Sequence, residues 1–147
     1  MGKRSAGILL YRYVDGELQV LLVHPGGPFW KRRDAGAWTL PKGEFDSQEK
    51  AEDAARREFR EELGVDAIGR LRPLGEIVQK GGKRVVAFAL EGDFNVADLC
   101  SNAFDMEWPP RSGRFEKFPE VDRAEWMTLA VAREKIFPSQ APLLDRL

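Results

Sequence analysis

The stretch Gly43–Val65, GEFDSQEKAEDAARREFREELGV, decides how this chain is read. Between its two glycines it sets a lone Glu49, the pair Arg57-Glu58 and the pair Glu61-Glu62. A helix here puts Glu58, Glu61 and Glu62 at i, i+3 and i+4, on one face. Like charges at that spacing cost roughly 0.2–0.5 kcal/mol per pair unless a cation sits among them. The ordinary explanation of such a composition is a solvated Glu/Arg face. Two features set it aside. Ala55, Phe59 and Leu63 form an apolar stripe at i, i+4 and i+8 that docks on a core. The carboxylates lie beside that stripe, so they stay near the protein body. Ser47 stands where an N-cap belongs and Gly64 where a C-cap glycine belongs. Hard oxygen donors gathered this way suit Mg²⁺ or Mn²⁺.

These residues resemble the Nudix box. Its pattern is Gly, five residues, Glu, seven residues, then Arg-Glu-apolar-any-Glu-Glu-any-Gly-apolar. Gly43, Glu49, Arg57, Glu58, Glu61, Glu62 and Gly64 fill the fixed positions, with Phe59 and Val65 at the apolar ones. At ordinary residue frequencies such a set arises by chance on the order of once in 10⁹ windows. The resemblance implies an α/β/α sandwich with a mixed β-sheet and a metal-dependent attack of water on a phosphorus of a nucleoside diphosphate-linked compound. Carried onto this chain, it makes Glu58, Glu61 and Glu62 the metal ligands, joined by the Gly43 carbonyl. Arg57 and Glu49 are expected to pair and orient the helix. The box leaves the general base open between a box glutamate and one from a later loop. Glu120, in FPEVDRAEW, is the loop candidate, with Glu116 behind it as a surface carboxylate.

Substrate signals lie outside the box. Trp38-Thr39-Leu40-Pro41-Lys42-Gly43 resembles the W-x-x-P-K-G lead-in of diadenosine tetraphosphate hydrolases and of diphosphoinositol polyphosphate phosphohydrolases, and it also occurs in nucleotide-sanitising members. Lys42 is the expected phosphate contact. Lys31, Arg32, Arg33, Lys83, Arg84, Arg111 and Arg114 extend the supply of cations, each otherwise a solvated charge. Phe29, Trp30 and Trp108 are candidates for stacking on a base, whereas Trp38 and Trp126 read as packing and His24 as a hydrogen-bonded structural residue. The expected substrate is a dinucleoside polyphosphate or a nucleoside triphosphate. The alternatives are an inositol pyrophosphate, a nucleotide sugar, or a non-catalytic nucleotide sensor of the same fold. Sensors typically lose box carboxylates, and this chain keeps them all.

Composition sets outer limits. The 147 residues are expected to form one domain, and the net charge of −1, from 23 basic and 24 acidic residues, argues against a nucleic-acid polymer as partner. Apolar runs fall far short of a membrane span, and Met1–Ser5 precedes no secretory apolar region. A single Cys100 excludes an internal disulfide and a cysteine-based zinc site. A cytoplasmic location follows as an expectation; the oligomeric state is open.

Element signals run strand-first, an α+β order. Ser5–Val14 and Glu17–His24 are β-rich around Asp15-Gly16, a hairpin signal. Ala37–Pro41 reads as a short strand entering the glycine loop. Ala67–Gln79 and Lys83–Glu91 read as strands around Lys80-Gly81-Gly82. Asp93–Pro119 lacks clear periodicity and reads as a long ordered loop. A last strand is expected at Ala124–Met127, then a helix from an N-cap at Thr128 to Phe137, stopped by Pro138, with a helical turn after Gln140.

Overall fold

The computed structural model describes residues 3–147. Strands β1 (Arg4–Val14) and β2 (Glu17–Pro25) form the expected hairpin, with Asp15 and Gly16 both at positive φ. Residues 5–10 of β1 are buried without a break, the mark of a strand covered on both faces. It runs parallel to β5 (Arg84–Glu91) and antiparallel to β2 and the short β3 (Lys42–Phe45). Strands β4 (Arg72–Val78) and β8 (Val121–Thr128) extend the sheet, in the order β4-β5-β1-β2-β8 with β3 on β1. The sheet is mixed.

Period-two alternation divides the core. Ile8, Leu10, Leu21, Val23 and Leu90 face helix α1 (Ala51–Leu63), which covers them with Ala55, Phe59 and Leu63. Leu9, Val20, Leu22 and Ala87 face the other way, under Trp38, α2 (Leu129–Lys135) and α3 (Ala141–Asp145). The result is an α+β fold with helices on both faces of one sheet. Burying Phe59 and Leu63 stabilises by about 1.5–3 kcal/mol each. That outweighs the few tenths lost to carboxylate repulsion, so α1 tolerates its charge cluster.

Several boundaries move. Ser47 does not cap α1: Lys50 holds the N-cap position without a side-chain bond. Asp46 instead accepts from the Gln48 amide at 2.9 Å, making its own turn ahead of the helix. Ala37–Pro41 is not a strand; Trp38 and Thr39 make only isolated bridges to Ile136 and Val23, and the ladder begins after Pro41, which lacks a donor. Strand β4 starts at Arg72, not Ala67, because Arg56 takes the Ala67 and Gly69 carbonyls, both at 2.6 Å. Asp93–Pro119 is not irregular throughout. It holds a 3-10 turn at Val96–Asp98 and a separate two-stranded sheet, β6 (Ala103–Glu107) with β7 (Phe115–Pro119). The last strand is longer than Ala124–Met127, spanning Val121–Thr128. Thr128 caps α2 as expected, its hydroxyl accepting from the Val131 amide, and α2 ends at Lys135. A 3-10 turn at Pro138–Gln140 then leads into α3. Among the described residues no helix is long and apolar enough to cross a membrane.

Candidate active site

The glycine loop meets the helix at one point. Strand β3 pairs with the start of β1, Gly43 opposite Ala6, which lays the loop against α1. A Cβ on Gly43 would stand 2.0 Å from the Glu58 carboxyl carbon, where no side chain fits. The box glycine is therefore required by the close approach of Glu58.

Arg57 organises the acidic face. Its Nε and Nη2 donate to Glu49 at 2.8 and 2.9 Å, a two-pronged pair. The bond from Arg57 holds Glu49 below the ordinary carboxylate range and Arg57 above the ordinary guanidinium range. Its Nη1 also lies 3.2 Å from Glu58 and 3.3 Å from Glu61. A cation thus sits among the like charges, as the helix requires.

Glu58 is buried at 9% exposure, and burial, reinforced by Glu61, pushes its carboxyl up to about 7. Burial, then Glu58, raises Glu62 well above the ordinary value; burial, then Glu61, raises Glu120. These mutually repelling oxygens are a hard donor set whose ionised forms a divalent cation favours. The donors fit Mg²⁺ or Mn²⁺ by their chemistry. They are spread along the helix, and among the described residues no three His, Cys, Asp or Glu side chains close on one point.

Backbone bonds bring Glu120 to this face. Gly64, at φ 85°, ends α1 in the left-handed cap and donates to the Arg60 carbonyl at 2.8 Å. The returning chain takes over the helix's free carbonyls: Cys100 donates to Leu63 at 3.1 Å and Asn102 to Glu61 at 2.8 Å. The Glu120 amide donates to Asn102 at 2.8 Å, and the Glu120 carbonyl accepts from Gly26 at 3.0 Å. Glu116, on exposed β7, has no such route.

Glu62 and Glu120 border a cleft of about 350 Å³ that holds three chemistries. Glu62 and Glu120 supply negative charge, and Lys42 and Lys83 supply positive charge. Trp30 and Phe137 supply an aromatic wall, edge to face at 5.4 Å. Burial, then the neighbouring Lys83, lowers the Lys42 ammonium, so an anion beside it restores the balance. A larger hollow of about 480 Å³, bordered by Tyr11, Arg70 and Arg72, lies at the far ends of β1 and β5 and holds none of the box carboxylates.

Not every sequence candidate reaches the cleft. Trp108, Arg111 and Arg114 lie at the exposed tip between β6 and β7, where Trp108 packs on Phe29 at 5.4 Å. Trp38 is packed, at 1% exposure, its Nε1 donating to Asp34 at 2.8 Å. Trp126 lies under Arg12 and donates to the Phe94 carbonyl. His24 is buried between Asp122 and the Arg33 carbonyl. Sequence reasoning missed Phe137, Thr39 and Gln79 on the cleft wall, and Gln140 behind it. Buried Gln140 accepts from the Leu40 amide and shares hydrogen bonds with the Thr39 hydroxyl, bracing the lead-in to Lys42. Phe137 is the one with a local signal, an apolar residue between the end of α2 and Pro138.

Comparison with known proteins gives a consistent family. No curated protein matches the chain. Among solved structures, a C. elegans Ap4A hydrolase aligns at TM-score 0.65 and 22% identity, over 98% of this chain and 93% of that one. The NUDIX domain of Shewanella oneidensis NrtR, complexed with ADP ribose, aligns at TM-score 0.65 and 20% identity, over 99% and 86%. A MutT protein from Methanosarcina mazei Go1 aligns at TM-score 0.63 and 22% identity, over 98% and 91%. At these identities the likeness is one of fold. The family model of the NUDIX domain matches residues 1–147. With that match and every fixed position of the box in place, this chain belongs to the NUDIX family.

Proposed function

We propose that this Nudix hydrolase cleaves a pyrophosphate linkage in a nucleotide, with a dinucleoside polyphosphate or a nucleoside triphosphate as substrate. The observation that carries the reading is the cleft itself, where carboxylates, two lysines and an aromatic wall border one space. An inositol pyrophosphate offers nothing for Trp30 and Phe137 to stack on. A nucleotide offers both a base and phosphates. The two neighbours named with a ligand or substrate, the Ap4A hydrolase and the ADP-ribose-bound NrtR domain, also point to adenine joined to a pyrophosphate.

Glu58, Glu61 and Glu62, with the Gly43 carbonyl, would hold Mg²⁺ or Mn²⁺. Such an ion, when bound, neutralises phosphate charge and makes water easier to deprotonate. The chain's own residues do the rest. Lys42 and Lys83 hold the phosphates, and Trp30 fixes the base. Glu120, brought to the acidic face by its backbone, accepts the proton of the attacking water. Burial, then Glu61, raises its carboxyl, which favours its taking up that proton. Arg57 acts through Glu49, keeping the helix in register.

A panel of diadenosine tetraphosphate, nucleoside triphosphates, ADP-ribose and an inositol pyrophosphate, assayed with Mg²⁺ and product identification, tests this. Turnover confined to the nucleotides supports the proposal. Turnover of the inositol compound alone overturns it.

A further inference from the structure

The hairpin β6–β7 pairs with no strand of the main sheet, and none of its strand residues is buried. It adds little to the core, yet it is built with care. At its tip Glu107 accepts from the backbone amides of Arg111 and Gly113, both at 3.1 Å, which holds Arg111 at φ 61°. The Arg111 and Arg114 guanidiniums enter none of the salt bridges among the described residues. Trp108 stands beside them, edge to face with Phe29, and Phe29 remains 58% exposed.

The loop that follows β2 ties this hairpin to the cleft. Gly26 is bonded to Glu120, at the foot of the hairpin. Four residues on, the chain splits its aromatics: Trp30 faces the cleft and Phe137, while its neighbour Phe29 faces Trp108. Consecutive Cα atoms are about 3.8 Å apart. Two aromatic surfaces therefore start from adjacent residues of one short loop, the first on the cleft that Lys42 and Lys83 line.

We propose that the Phe29–Trp108 surface, flanked by Arg111 and Arg114, is a second nucleoside site, taking the far base of a substrate that carries a base at each end of its phosphate chain. The exposed Phe29 ring and the half-buried Trp108 ring stack on the base, and the free arginines meet the phosphate nearest to it. This rests on the nucleotide reading of the cleft and adds to it a specificity for two-headed substrates. It assigns the hairpin a role that its small share in the core leaves open.

Two probes that differ only in the second nucleoside test it: methylene-bridged analogues of adenosine tetraphosphate and of diadenosine tetraphosphate, titrated calorimetrically with Mg²⁺. Wild type should bind the two-headed analogue more tightly. Trp108→Ala should weaken that analogue roughly 5- to 150-fold, the range for one lost stacking contact, and leave the one-headed analogue within about twofold. Trp108→Phe should restore most of the difference. Arg111→Ala, which leaves the aromatics in place, should show the same selectivity more weakly. Equal binding of both analogues by wild type, or equal losses on both in Trp108→Ala, overturns the second site. Trp30→Ala separates the two readings: it should weaken both analogues, and no effect on either would overturn the cleft reading instead.

Discussion

Glu61 is the residue on which the metal reading turns. Glu61→Gln keeps the shape of the side chain and removes one charge from the acidic face. Turnover should fall at least ~10²-fold, roughly 2.7 kcal/mol of transition-state stabilisation, with the melting temperature held or slightly raised as repulsion is relieved. Near-normal kcat at limiting Mg²⁺ would show that Glu61 is no ligand. Arg57 and Glu49 give a second residue-level test, because their two bonds make one unit. Arg57→Ala and Glu49→Gln should each lower stability and activity, and the double variant should lose less than the sum; additive losses would refute the coupling. The pair also has a pH signature. Glu49 titrates below its ordinary value when folded, so its contribution is present above the unfolded pKa and lost as pH falls through the folded one. Melting temperature measured from pH 6 down through the carboxylate range should fall less steeply in Glu49→Gln than in wild type. Both partners were legible in the sequence because the box spacing names them. Ser47 misled because Asp46, one residue earlier, takes the local amide.

At the scale of elements, the C-terminus of α1 is the joint that matters. Gly64 is left-handed, and a Cβ there would stand 2.6 Å from the Cys100 carbonyl. Gly64→Ala should cost about 1–3 kcal/mol in denaturant unfolding and lower kcat as well, since the displaced segment leads through Asn102 to Glu120. A stability loss without any kcat change would show that Glu120 does not depend on this joint. The lead-in to Lys42 makes a second case. Gln140→Leu leaves the Leu40 amide without a partner and the Thr39 hydroxyl with only the Leu40 carbonyl. The expected loss is about 1–3 kcal/mol, with KM rising more than kcat falls as Lys42 loosens; unchanged KM would refute the bracing role. Elements with a period or a local cap were readable: the α1 stripe, the β1–β2 turn and the Thr128 cap. The β6–β7 hairpin was not, although PPRSG sits between two short runs. Its strands bury no residue, so alternation leaves no clean trace. Gln140 was equally hidden, since its partners Thr39 and Leu40 lie about a hundred positions away.

For the whole molecule, the sheet supplies rigidity, and the proposed site lies where β3, α1 and the Gly26–Trp30 loop converge. A cation that binds only the folded chain must raise its stability, by about 2.7 kcal/mol at a hundredfold excess over Kd. Melting temperature should therefore climb with Mg²⁺ and fall back with a chelator, and Glu61→Gln should shrink the rise. Equal shifts in both proteins would place the ion elsewhere. The backbone bond between Asn102 and Glu120 has one more consequence. It closes the neck of the hairpin, Ala103 opposite Pro119 just beyond it, so everything from Phe104 to Phe118 is an excursion that leaves and returns at a single point. Such an excursion is modular. Replacing it with a two-residue turn should leave Glu120 in place and the cleft working. Longer or shorter tips grafted onto the same neck would then change what the enzyme selects without changing the chemistry it performs.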